Sequence, residues 1–281
     1  MPEGGTCVPY RLDSVGRGRI MTVPVHIGGN VRDFVFDTGA AQFNFVSERF
    51  ARENGIRMIA DSIPVAGIGR GWVGLGVADS LAVGGIVMRN PVFLISPPDQ
   101  ATDTIEVISA VLGNAFMRKA ERFTIDNHTR HIVFPAERTL HADGTERMAN
   151  MMLNSFQPYV RIHADGIPLL FHFDTGNVAT TLYPPYYELF REQVDSCGVE
   201  DTVRIGGFAG VAENVCYRLP SVEFTLEGVP FTLRDIDVLP SGSAGATAGS
   251  EAGSLGTDFA TAFDTLTVDY TSCTVRGENV P

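Results

Sequence analysis

The chain has 281 residues, 44% of them hydrophobic, with 30 glycines and 16 prolines, which describes a turn-rich globular protein long enough for one large domain or two lobes. Its 21 Lys and Arg against 33 Asp and Glu leave a formal charge of −12, which argues against nucleic acid or an anionic membrane as a partner. No apolar run approaches the roughly 18 residues of a membrane helix, and the opening MPEGGTCVPYR has no apolar signal segment, so the chain is either cytosolic or, as we expect, periplasmic or secreted after removal of a signal peptide.

In chain order, the first half opens on strand-like alternation, VPVHIGGNVRDFVFDTG (23–39), which reads as two short strands around the turn Gly28-Gly29-Asn30. It ends in Asp37-Thr38-Gly39. VSERFAREN (46–54), closed by Gly55, is a short helical candidate. A glycine-rich run of strands follows over 63–95, then a loop, SPPDQATDT (96–104), then VLGNAFMRKAERFTIDNHTRHIV (111–133). The polar stretch 135–157 carries Asp143-Gly144 and has no counterpart elsewhere, so it reads as a linker.

The second half runs parallel to the first, feature by feature. YVRIHADGIPLLFHFDTG (159–176) is a second hairpin leading to a second motif, Asp174-Thr175-Gly176. PPYYELFREQ (184–193), ending near Gly198, is the second helical candidate, and 203–239 is the second glycine-rich run. SGSAGATAGSEAGS (241–254) is small and polar and reads as a flexible surface insertion. Finally SLGTDFATAFDTLTVDYTSCTVR (254–276) aligns without gaps to 111–133. Leu112, Gly113, Phe116, Thr124 and Asp126 match Leu255, Gly256, Phe259, Thr267 and Asp269. The resulting division is 1–135, a first lobe; 136–157, a linker; and 158–281, a second lobe.

A single Asp-Thr-Gly is often only a turn after a strand. Two copies at matching places, each after Phe-x-Phe, point to chemistry. Two carboxylates in contact cannot both ionise, so they share a proton. The ionised member can take a proton from water as it attacks a carbonyl carbon, while the protonated member donates to the carbonyl oxygen. This needs neither metal nor cofactor. The glycine lets backbone N–H groups approach the carboxylate, and the threonine hydroxyl can bond backbone to lock the two loops together.

These features resemble the lobes of an aspartic protease of the pepsin and retropepsin type, over most of the chain outside the linker. The resemblance implies a mostly β, bilobal acid-protease fold: two homologous β-barrel-like lobes with few short helices. It assigns Asp37 and Asp174 as the catalytic pair. It assigns Thr38, Gly39, Thr175 and Gly176 to their loops, and Leu112-Gly113 and Leu255-Gly256 to bracing segments, where Ser254 departs from the usual apolar residue. Glycine-rich flaps over an extended peptide would have their tips at Gly67, Ile68 and Gly69 and at Gly206, Gly207 and Phe208. Pepsins place a tyrosine in the first flap; here Trp72 is the nearest aromatic. The implied partner is a peptide or protein substrate held by main-chain bonds and apolar pockets, on a monomer with pseudo-twofold symmetry.

Other signals are weaker. Gly69-Arg70-Gly71-Trp72-Val73-Gly74 fits G-x-G-x-x-G, but alternation follows it where a nucleotide fingerprint needs a helix. His128 and His131 flank a turn at a spacing that puts strand residues on opposite faces, so they read as solvated histidines rather than metal ligands. Asn127-His128-Thr129 is a formal glycosylation sequon that reads as turn chemistry. Cys197 and Cys216 are placed to clip a loop, and four separate thiols, with Cys7 and Cys273, is an equal alternative. A rival to the protease is a binding or inhibitory protein on the same fold, and a third reading completes each site between molecules.

Overall fold

A computed structural model describes residues 4–40, 43–67, 69–97, 108–136, 148–207, 210–243 and 249–279. Three sheets account for its strands: a ten-stranded one from the first half, an eight-stranded one from the second, and a five-stranded one to which both contribute. The architecture is mostly β, as expected, with short helices.

The first sheet grows from the predicted hairpin. Gly18–Ile27 pairs antiparallel with Asn30–Phe36 around Gly28 and Gly29, both at positive φ (+56° and +77°), where only glycine turns the chain without strain. Beside Asn30–Phe36 lies Ala110–Leu112, parallel to it, and beside that Asn44–Ser47, antiparallel. A chain segment from far along the sequence is therefore inserted between a strand and the next strand in order. The second sheet repeats the insertion: Gly253–Leu255 runs parallel to Ile167–Phe173 and antiparallel to Thr181–Leu182.

Alternation along these strands decides which face is core. Phe34 and Phe36, and likewise Phe171 and Phe173, have no exposure and enter one continuous apolar cluster. Phe36 meets Phe123 edge-on at 5.0 Å, and Phe173 meets Phe259 at 5.3 Å. Each such ring contributes roughly 1.5–3 kcal/mol by leaving water. The rings thereby anchor the strand just before each aspartate.

The five-stranded sheet stitches the halves. Arg122–Asp126 pairs antiparallel with Thr265–Asp269, and the hydroxyls of Thr124 and Thr267 stand 2.8 Å apart across it. Asn127, the sequon residue, has its side chain committed here: its amide donates to the carbonyls of Ala260 and Phe263, at 2.9 and 2.7 Å. Tyr10 donates to its carbonyl oxygen at 2.5 Å. It is thus an inter-half staple, beyond the turn chemistry expected of it.

The helical candidates fold over Glu48–Glu53, Pro184–Leu189 and Arg191–Cys197. Ser47 caps the first by accepting from the Phe50 N–H at 3.1 Å, and Gly55 at φ +70° follows its end. Two further helices, Asn114–Ala120 and Thr257–Ala260, were not signalled beforehand; each is a turn or two directly behind a bracing glycine.

Two expectations change and one open alternative is decided. The linker contains a strand, Met151–Asn154, in a hairpin with Gln157–Ala164, because Met151 finds a place in the core. The insertion 241–254 is not all surface: Glu251, Ala252 and Ser254 are buried, and a Cβ on Gly253 would lie 2.5 Å from the Thr181 carbonyl oxygen. Small residues were needed there for close strand approach, not for flexibility. All four cysteines are free thiols, which removes the clip.

Candidate active site

Asp37 and Asp174 each leave the end of a core strand, and each is fixed at its own N–H. Asp37 donates to the carbonyl of Leu112 at 3.1 Å, and Asp174 to that of Leu255 at 2.9 Å. The bracing segments are thus strand neighbours of the aspartate strands. Their glycines are held in turn: the Gly113 N–H donates to Asn44 Oδ1 at 3.0 Å, and the Gly256 N–H to Thr180 Oγ1 at 3.0 Å.

The two threonines lock the loops to each other. Thr38 Oγ1 donates to the Phe173 carbonyl at 2.8 Å and accepts from the Thr175 N–H at 3.0 Å. Thr175 Oγ1 donates to the Phe36 carbonyl at 2.5 Å and accepts from the Thr38 N–H at 3.1 Å. Both side chains have no exposure. Four buried bonds therefore cross between the halves directly beneath the aspartates.

The glycines let each loop approach the other's carboxyl. A Cβ on Gly39 would lie 2.2 Å from the Asp174 carboxyl carbon, and one on Gly176 2.4 Å from that of Asp37. Any side chain here would displace the opposite carboxyl. Asp37 Oδ1 accepts from the N–H groups of Gly39 and Ala40 at 2.7 and 2.8 Å, and Asp174 Oδ1 accepts from Gly176 at 2.9 Å.

The carboxyls are enclosed by protein, though each aspartate keeps some accessible surface. Burial pushes Asp37 well above the usual carboxylate range, and the charge of Asp174 and the hydrogen bond between the two carboxyls push it further, against the N–H donors of Ala40 and Gly39. Burial also raises Asp174, while the hydrogen bond from Asp37 and the N–H groups of Gly176, Asn177 and Gly39 hold it down. Burial and the opposing charge thus favour the state in which the two carboxyls share one proton and carry one negative charge.

Several residues of the site left no mark in the sequence reading. Asn114 Nδ2 donates to the Thr38 carbonyl at 2.5 Å, and its Oδ1 accepts from the Tyr270 hydroxyl at 2.7 Å. Thr257 Oγ1 does the corresponding work on the Thr175 carbonyl at 3.0 Å. Gln157, at the end of the expected linker, donates to the Gly39 carbonyl at 2.7 Å. The signal for Asn114 and Thr257 was their place just after Gly113 and Gly256. Gln157 had none. Ser254, the odd residue of the second brace, is buried beside the Tyr183 hydroxyl and bonds it.

The expected flaps are hairpins whose backbone pairing closes at Gly67 with Gly69 and at Gly207 with Gly210, the latter just beyond the pair of Gly206 with Val211. Ile68 and Phe208 lie outside the described residues. Gly69–Val77, the G-x-G-x-x-G run, is a strand, with Trp72 62% exposed on it. His131 is half-buried, with Nδ1 2.8 Å from the Thr129 carbonyl oxygen.

A family model described as an aspartyl protease matches residues 23–116, the part of the chain that contains Asp37 and its brace. Solved structures with a similar fold include basic 7S globulin from soybean, at TM-score 0.53 and 11% identity, with 98% of this chain and 94% of that one covered. Conglutin gamma, a basic 7S globulin from lupine seeds, gives 0.58 and 10% identity, with 97% and 94% covered. Identities this low speak for the fold, which is aspartic-protease-like. No curated protein matches the sequence.

Proposed function

We propose that this chain is an aspartic endopeptidase whose water is activated between Asp37 and Asp174. The observation that carries the reading is the pair itself: two enclosed carboxyls, one from each half, hydrogen-bonded together and served by backbone N–H donors. The ionised carboxyl takes a proton from water as its oxygen attacks the peptide carbonyl carbon, and the protonated one donates to the carbonyl oxygen. The tetrahedral diol then collapses: the C–N bond breaks, the leaving nitrogen receives the proton first taken from water, and one diol hydroxyl returns its proton to the carboxylate that had protonated the carbonyl oxygen. Because both halves contribute, one chain completes the site, which supports a monomer. An extended peptide between the flap hairpins and the aspartates is the substrate we propose, and we place the protein in the periplasm or outside the cell.

The test is a peptide-library digest across pH with wild type, Asp37→Asn and Asp174→Asn. We expect cleavage by wild type and a loss of at least about 100-fold in each variant, since each removes a group that moves a proton. Full activity in either folded variant overturns the proposal. A silent peptide-binding protein is the second reading, favoured by both solved neighbours being named as globulins. It requires wild type to bind a transition-state mimic yet cleave nothing at any pH.

A further inference from the structure

Each half starts its hairpin against the other half's aspartate loop, and the two contacts differ. Gln157 and Ile20 stand at matching positions, two residues before Tyr159 and Thr22, whose backbone partners are His172 and Val35. Ile20 is buried in a small apolar cluster with Ala40, Val35 and Val111, against which Val178 of the opposite loop packs. Its side chain has no donor to offer that loop. The polar contact there is made by backbone, the Arg19 N–H donating to the Val178 carbonyl at 3.3 Å. Gln157 is half-buried, and its Nε2 donates to the Gly39 carbonyl at 2.7 Å.

The Gly39 carbonyl and the Ala40 N–H belong to one planar peptide unit. That N–H donates to Asp37 Oδ1 at 2.8 Å. One rigid plane therefore receives the bond from Gln157 on one edge and gives a bond to the carboxyl on the other. Fixing the carbonyl fixes the direction of the N–H, and a donor on the carbonyl polarises the unit so that its N–H donates more strongly. Asp174 is served by the N–H groups of Gly176 and Asn177, but the residue matching Gln157 on that side is the isoleucine.

The turn that delivers Gln157 is strained. Ser155 and Phe156, between the paired Asn154 and Gln157, lie at φ +49° and +72°, a conformation that suits Asn and Gly in a two-residue hairpin turn and neither of these residues. Strain of this kind persists where surrounding contacts hold it. Here the Arg118 guanidinium, from the helix behind the first brace, sits over the Phe156 ring at 4.1 Å. A half-buried amide could have turned to water instead, so its bond to Gly39 is not forced by burial.

Building on the endopeptidase reading, we propose that Gln157 is a positioning residue for Asp37: through the Gly39–Ala40 peptide it holds the N–H that donates to Oδ1, a support Ile20 cannot give Asp174. It acts on the carboxyl only through that peptide.

The experiment compares wild type with Gln157→Met, which keeps the shape without a donor, and with Gln157→Glu, whose carboxyl donates only when protonated. Cleavage is followed across pH, and the Ala40 amide by two-dimensional NMR at each pH. Gln157→Met should lower kcat by about 3- to 10-fold, the contribution of one neutral hydrogen bond, with KM within about twofold. Gln157→Glu should match wild type near pH 4 and below, and fall to the Gln157→Met level or lower by about pH 7, where its charge faces the Gly39 oxygen and the aspartate pair. The cation on its other side is Arg118, over the neighbouring ring. In Gln157→Met at every pH, and in Gln157→Glu near pH 7, the Ala40 amide proton should lie upfield of its wild-type position. Full kcat in Gln157→Met, a Gln157→Glu to wild-type activity ratio that does not change with pH, or an unmoved Ala40 amide overturns the inference. A wild type that cleaves nothing at any pH defeats the endopeptidase reading alone, and the Ala40 amide then decides whether Gln157 positions Asp37.

Discussion

Thr38→Val removes one oxygen at constant shape and so isolates the lock between the halves. The hydroxyl donates to the Phe173 carbonyl at 2.8 Å and accepts from the Thr175 N–H at 3.0 Å, with no exposure at either threonine side chain. The variant leaves both backbone groups without partners in a place water does not reach. Each unpaired group costs about 1–3 kcal/mol, so the loss should total about 2–6 kcal/mol. Thr124→Val is the internal control, since it removes a single half-buried bond to Thr267 and should cost about 1 kcal/mol. Equilibrium urea unfolding, followed by far-UV circular dichroism and by Trp72 fluorescence, measures both. A Thr38→Val loss below about 1 kcal/mol, or no larger than that of Thr124→Val, would refute the claim that this oxygen carries two buried bonds.

Burial raises Asp37 above its ordinary 3.8, so the fold prefers its neutral form. That contribution to stability is complete below the unfolded value and is lost as pH rises through the folded one. Asp37→Asn should therefore melt higher than wild type at pH 8, with the gap closing near pH 3.5; a variant less stable than wild type at pH 8 contradicts this. Burial raises Asp174 as well, so the acid limb of the kcat/KM profile, which reports protonation of the ionised carboxyl, should lie above pH 3.8, and a profile still rising with acid below pH 3 is the contrary result. Gly39→Ala puts a carbon 2.2 Å from the Asp174 carboxyl carbon and should abolish cleavage, whereas Gly29→Ala, with open space around it, should affect only stability, by about 1 kcal/mol for its positive φ. Arg17→Ala breaks pairs to Asp201 and Asp237, but the arginine side chain is 55% exposed, so thermal melting should register no more than about 1 kcal/mol.

The positions of the aspartates were legible because local rules fix them. Phe-x-Phe alternation buries the strand, Asp ends it, and Gly makes the following turn, all within a few residues. The brace was legible for a related reason: Leu112 and Leu255 are apolar residues directly before a glycine, and each turned out to face the aspartate strand. The duplicated motif also announced that two carboxyls would be needed together. Helices and hairpins with caps and turn glycines, such as Ser47 to Gly55, followed the same local logic.

What the sequence could not announce depends on which distant strands become neighbours. Gln157 looked like linker until the hairpin from Met151 carried its amide to the Gly39 carbonyl. Ser254 looked like part of a loose insertion until it was seen to lie between Ile167–Phe173 and Thr181–Leu182, beside the Tyr183 hydroxyl. By itself the sequence determined the strand ends, the turns and the paired aspartates, because those follow from contacts a few residues apart. The tertiary structure decided how the carboxyls share a proton and what surrounds them, because burial, charge and hydrogen-bond partners there come from residues more than a hundred positions away.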